Sequence, residues 1–122
     1  MEFQSRDQTY HAISVLVDSG AIITLLSRSV GELLKLDVTS GRLVDLGAVG
    51  GARTRAFVHS LTIRFADSLV IQAPVAIAAE ENVPNLLGRL GIFDRLQIDF
   101  DATLHETRIT GPWLAESGQV LW

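Results

Sequence analysis

Cysteine is absent from this chain, which excludes disulfide bridges, zinc-thiolate centres and cysteine nucleophiles. Histidine occurs at only three positions, His11, His59 and His105, without the spacing of a ligand set, so neither a metal site nor another cofactor is expected. No cluster of lysine and arginine breaks a net charge of −4, which argues against a nucleic-acid partner or an anionic membrane surface. No run reaches the roughly 18 consecutive apolar residues of a spanning helix, so no membrane contact is expected. The stretch from Met1 to Gln8 is polar and of mixed charge, unlike a signal peptide, and nothing in the chain names a compartment. Internal repeats, low-complexity tracts and linkers are missing too.

What the chain does have is apolar content. With 48% hydrophobic residues among 122, it fits one domain with a real core, expected over about residues 9–110 with a tail at 111–122. The apolar residues alternate more often than they follow a helical period, so the fold class is all-β with one or two short helices. A strand is expected from Thr9 to Val17 and another over Ile22-Ile23-Thr24-Leu25-Leu26. Ser29-Val30-Gly31-Glu32 has the form of a capping box and opens a short helix to Leu36, with Val30, Leu33 and Leu34 on one face. Gly41 to Phe65 reads as a long hairpin with the small, glycine-rich tip Gly47-Ala48-Val49-Gly50-Gly51, a flexible arm that is either an ordinary Gly-Gly turn or a mobile lid. After a turn at Asp67-Ser68, Leu69, Ile71, Ala73, Val75 and Ile77 alternate into a further strand. Glu80-Glu81-Asn82 reads as solvated surface, and Leu90 to Leu96 as helix-like. Gln97 to Asp101 and His105 to Thr110 form a second hairpin, stopped at Gly111-Pro112 because proline has no N–H to give.

The stretch that singles itself out chemically is Ser14-Val15-Leu16-Val17-Asp18-Ser19-Gly20-Ala21. An apolar strand ends abruptly in a carboxylate, a hydroxyl and a glycine that lets the backbone turn, so Asp18 is displayed from a rigid element. Taken alone, Asp-Ser-Gly is most simply a turn. Two further features accompany it in order: the glycine-rich hairpin tip, and Asn85-Leu86-Leu87-Gly88-Arg89 opening a short helix.

That ordered set, with Ile92-Phe93-Asp94-Arg95-Leu96 and a strand ending in Phe100-Asp101, resembles the retropepsin-like aspartic proteases, the single-domain relatives of retroviral protease. The resemblance covers most of Ser14 to Asp101. It implies a closed-barrel-like acid-protease fold with a β-hairpin flap and a homodimer cleaving a peptide or protein substrate. By the same resemblance Asp18 would be the catalytic carboxylate, and Ser19 would hydrogen-bond across the two-fold axis. Gly20 would let the substrate backbone approach, and Ala21, Ala48, Val49, Gly50 and Gly51 would contact the substrate. Leu86-Leu87-Gly88 would pack behind the catalytic loop. Bottom-up chemistry agrees. Hydrolysis by water needs one group to take a proton and another to polarise the carbonyl, and two adjacent carboxyls sharing one proton do both. One Asp-Ser-Gly per chain then implies two chains.

The chain departs from the family pattern in places. Ile22 stands where relatives often carry an acid that pairs with the arginine after Leu-Leu-Gly, so Arg89 needs Asp94, Asp99 or the dimer interface instead. Ser19 replaces the commoner threonine. The 111–122 tail, with two tryptophans, has no match and is placed at the interface. The competing reading is a catalytically silent module of the same fold that dimerises or binds a peptide.

Overall fold

The computed structural model describes residues 1–47, 53–65, 69–101, 103, 106–110, 113–114 and 120–121. Its strands are β1 (Glu2–Gln4), β2 (Tyr10–Ala12), β3 (Leu16–Val17), β4 (Thr24–Leu26), β5 (Arg42–Gly47), β6 (Arg53–Phe65), β7 (Leu69–Ala78) and β8 (Leu86–Leu87). These eight form one strongly curled, half-barrel sheet in the order β2-β1-β6-β7-β4-β8-β3, with β5 on β6. Beyond them β9 (Gln97–Asp101) pairs with β10 (Glu106–Thr110), and β11 (Trp113–Leu114) with β12 (Val120–Leu121), each antiparallel. The mostly-strand, all-β expectation and the second hairpin both hold.

The spine is the long pair β6–β7, in register from Ala56 opposite Ala78 to Phe65 opposite Leu69. Its alternation has a direct consequence. Leu61, Ile63, Phe65, Ile71, Ala73, Val75 and Ile77 turn to one face and join Phe3, Leu26, Leu34, Leu87 and Ile92 in the main core. Each fully buried aliphatic or aromatic side chain there contributes about 1.5–3 kcal/mol. On the other face, Leu25, Ala56, Ala76 and Ala78 form a smaller cluster, flanked by Ile23, Leu46 and Leu86. β7 is therefore buried on both faces along its second half, which explains its continuous apolar run Val75-Ala76-Ile77-Ala78.

The core begins earlier than residue 9. β1 pairs with both β2 and β6, and Phe3 is fully buried. Arg64 fastens this edge: its guanidinium grips Glu2 through two hydrogen bonds of 3.0 and 2.9 Å and lies 4.0 Å from the Tyr10 ring centre. The strand expected over Thr9 to Val17 is split into β2 and β3, interrupted after Ala12, where Ile13 N donates instead to Met1 O at 3.1 Å.

The helix α1 (Arg28–Leu33) starts one residue before the expected capping serine. Its N-cap is Ser27, whose hydroxyl accepts Val30 N at 3.4 Å. Ser29 N is satisfied by Glu81 Oε2 at 3.0 Å, so Glu81 is a tether from the far loop and not merely solvated surface. Leu33 is 49% exposed, so the buried side of this short helix is Val30, Gly31 and Leu34. Gly31 is required there, since a Cβ would lie 2.5 Å from Ile77 Cγ2. The helix-like stretch after Gly88 is an irregular wide turn at Arg89–Phe93, broken by extended backbone at Leu90 and by Gly91 at φ 74°. A side chain at Gly91 would also press on Ala73 and Pro74, so packing against β7 decides this backbone over helical propensity.

Candidate active site

Asp18 follows β3 directly, and β3 is held by a crossed arrangement of three short segments. β8 lies between β3 and β4, parallel to the first through Leu16–Leu86 and Val17–Leu87 and antiparallel to the second at Leu25–Leu86. Leu16 N donates to Asn85 O at 2.9 Å, and Asp18 N to Leu87 O at 3.0 Å. Past Asp18 the contact continues: Arg89 N reaches Ala21 O at 3.0 Å and Leu90 N reaches Ile22 O at 2.8 Å. The loop carrying Asp18 is thus laced to residues 85–90 on both sides of the carboxylate.

Three residues make this close approach possible. Gly88 is buried where a Cβ would fall 2.3 Å from Ile23 C and 2.4 Å from Ile23 O, so the two backbones touch only because it is glycine. Its N–H donates to the fully buried Thr24 Oγ1 at 3.0 Å. Asn85 clamps both partners of β8: its Oδ1 accepts Ser27 N at 2.9 Å and its Nδ2 donates to Ser14 O at 3.3 Å. Leu87 is fully buried in the main core, and Leu86 lines the groove beside the turn.

The loop itself is a tight Asp-led turn. Asp18 Oδ1 accepts Gly20 N at 2.9 Å, and Asp18 O accepts Ala21 N at 3.1 Å. Among the described residues Oδ2 has no hydrogen-bond partner and no cation is paired with the carboxylate. Asp18 is half-buried, while Ser19 and Gly20 are exposed beside it. A groove of about 280 Å³ opens next to this turn, lined by Gly20, Ala21, Ile23, Leu25, Leu46 and Leu86 among others. Its far wall comes from β5 and β6, the stems of the expected flap; Ala48, Val49, Gly50 and Gly51 lie outside the described residues. A larger recess of about 570 Å³, lined by Arg42, His59, Gln72 and Arg95 among others, includes no residue of the Asp18 turn.

Arg89 makes no ion pair among the described residues. The residue is exposed and lines a shallow recess with Ile22, Leu90 and Asp94. Thr24 and Asn85 were not singled out by the sequence as site-building residues. A hydroxyl within the run Ile22-Ile23-Thr24-Leu25-Leu26 was the available signal, since a polar side chain in a buried strand needs a partner.

A carboxylate at the end of a strand, backed by a buried Leu-Gly segment threaded between two strands of a curled sheet, is the arrangement of an acid-protease fold. The model of a family described as aspartyl protease matches residues 6–89, more than half of the sequence, and the chain belongs to this retropepsin-like family. Among curated proteins, none matches the chain.

Proposed function

We propose that the protein is a homodimeric aspartic endopeptidase in which Asp18 of each chain supplies half of a catalytic pair. The observation that carries this reading is the state of the Asp18 carboxyl. One oxygen is fixed by Gly20 N, the other has no partner among the described residues, and a groove with mostly apolar walls opens beside the turn at Gly20 and Ala21. A fixed oxygen sets the orientation of the group, and the unpartnered oxygen is available to a water molecule or to a second carboxyl.

In this mechanism two Asp18 carboxyls meet on a two-fold axis and share one proton, because like charges so close cannot both ionise. The ionised member takes a proton from water, and the protonated one donates to the scissile carbonyl as it becomes tetrahedral. The carboxyl that now holds the proton gives it to the leaving nitrogen while the other takes one from a hydroxyl of the tetrahedral intermediate, so that the C–N bond breaks, the carbonyl re-forms and the pair is left with its one shared proton. Ser19 links the two loops across the axis. Gly20 and Ala21, with Ala48, Val49, Gly50 and Gly51 from the hairpin tip, hold the substrate as an extended strand. Three exposed apolar residues near the turn support burial against a second copy: Leu16 on edge strand β3 at 66%, Ile22 at 67% and Leu90 at 47%.

The test follows from the half-site. Specific activity should rise with protein concentration in step with the dimer population measured by analytical ultracentrifugation. Full activity in a monomeric sample would sink the two-chain site. A dimer that cleaves nothing in a broad peptide library from acidic to neutral pH would favour the silent module.

A further inference from the structure

Period-two alternation puts Arg42, Val44 and Leu46 on one face of β5, and the register carries that face across the sheet. Arg42 stands opposite Val58, and Val58 and Ser60 on β6 share the face with Pro74 and Gln72 on β7. One end of this face is the apolar groove beside Asp18, which Leu46 lines. The other end is the recess of about 570 Å³, lined by Arg42, Val58, Ser60, Gln72, Pro74 and Arg95 among others. No aspartate or glutamate lines the recess, and none lies on this face of β5, β6 or β7. Asp45, the one acid of β5, is on the opposite face with Arg55 across from it. Arg42 and Arg95 are exposed and make no ion pair among the described residues, and Arg95 is anchored by a hydrogen bond of 2.9 Å from its Nη1 to Gln72 O. His59 also borders the recess, but it belongs to the opposite face of β6, with its Nε2 engaged to Val38 O at 2.9 Å.

We propose that this recess binds an acidic side chain of an extended peptide that also fills the groove beside Asp18, and that Arg42 and Arg95 are the residues that read its charge. The inference rests on the endopeptidase reading for its ligand, but it makes no use of the Asp18 carboxyl. Arg42 lies four residues from Leu46 on the same face of β5, about 13 Å at about 3.3 Å per residue. An extended peptide advances at the same rate and turns every second side chain to the same side, so the residue four places from the one in the groove comes to the recess. A guanidinium is a planar fork of donors that matches a carboxylate. The exposed Ser60 and Gln72 add hydrogen-bonding groups, and the half-buried Val58 and Pro74 add apolar surface for the methylenes of a glutamate. A neutral amide leaves both guanidiniums without a counter-charge, and a lysine meets like charge.

The test uses end-blocked peptides carrying a neutral dye, one norleucine as the apolar anchor, and glutamate, glutamine or lysine four residues from it toward either end. Binding to Asp18→Asn protein, followed by fluorescence anisotropy, gives the ranking without hydrolysis. In at least one of the two directions glutamate should bind about fivefold more tightly than glutamine, the scale of an exposed ion pair, with lysine weakest. Moving the glutamate to three residues from the anchor turns it to the other side of the peptide and should abolish the preference. Adding Arg42→Glu should put lysine ahead of glutamate and leave the glutamine peptide unchanged, and Arg95→Glu should do the same; an unchanged urea midpoint for Arg42→Glu shows that the fold is intact. If wild type cleaves none of these peptides yet the binding order holds and inverts with Arg42→Glu, the endopeptidase reading fails and the acid-binding recess stands. Equal binding of glutamate and glutamine peptides, or a glutamate preference that survives Arg42→Glu, overturns the proposal.

Discussion

Asp7 and Asp18 each accept the N–H of the residue two places on, Thr9 N to Asp7 Oδ1 at 3.2 Å and Gly20 N to Asp18 Oδ1 at 2.9 Å. The local turn is the same, and the difference lies in what completes each carboxyl. Asp7 also takes the Ser5 hydroxyl, and its Oδ2 takes Lys35 Nζ at 2.6 Å. Those contacts hold the Asp7 carboxyl well below the ordinary carboxylate range, the Lys35 hydrogen bond contributing most. Asp18 receives no cation and no second donor among the described residues, yet its backbone is braced by β8 and by the buried Gly88–Thr24 contact. In the first case the side chain is satisfied to hold a surface loop. In the second the main chain is satisfied, and the side chain is left with bonding capacity. That distinction separates a structural turn from a reactive one, and it can be tested at both ends.

The largest effect is expected at Asp18 itself. Asp18→Asn keeps the shape of the side chain and its acceptor for Gly20 N, but the amide cannot take a proton from water. Peptide hydrolysis should fall by about 10³-fold or more. The unfolding free energy should move by less than about 0.5 kcal/mol, as for surface substitutions away from special features. If activity survives, or if stability collapses, Asp18 belongs with Asp7 and the contrast fails.

Next comes the brace. Gly88→Ala puts a methyl 2.3 Å from the Ile23 carbonyl carbon and 2.7 Å from Thr24 N, and backbone cannot swing aside as a flexible side chain can. A cost of about 3 kcal/mol is expected, at the upper end for overpacking, visible as a lowered urea midpoint with an unchanged slope. A mild effect would show that β8 and the Asp18 loop have slack between them. Thr24→Val should cost about 1–3 kcal/mol, because Gly88 N would keep its burial and lose its acceptor. Thr24→Ser, which retains the hydroxyl, should recover part of that loss.

The brace also marks where sequence reading ran out. Asp18, the buried Leu87 and the β5–β6 hairpin were legible because a strand ending in Asp-Ser-Gly, a Leu-Leu-Gly run and period-two alternation are local signals. The role of Gly88 was not, since it depends on Ile23, far away in sequence, lying against it. The same holds for Ser27 against Ser29 as the helix cap. Both serines precede Val30, and the choice rests on Glu81 satisfying Ser29 N and Asn85 satisfying Ser27 N. The stretch after Gly88 looked helical from its apolar spacing, but contact with Ala73 and Pro74 imposes the left-handed Gly91.

The smallest effect, and the one that sharpens the contrast most, is expected at Asp7. Its carboxyl is lowered in the folded state by Lys35, Ser5 and Thr9, so folding favours the ionised form. A group with a depressed folded value contributes stability that is complete above the unfolded carboxylate range and is lost as pH falls through the folded value. Asp7→Asn should therefore lower the urea midpoint slightly at neutral pH, by less than Thr24→Val does. The gap to wild type should close under strongly acidic conditions, where Asp7 is protonated in both states. Both partners are well exposed, at 61% for the Lys35 side chain and 42% for the Asp7 side chain, so added salt should shrink the gap as well. Peptide hydrolysis should be unaffected throughout. A gap that persists in acid and in salt would mean that Asp7 acts through its Ser5 and Thr9 contacts alone, and that Lys35 contributes nothing to closing the loop.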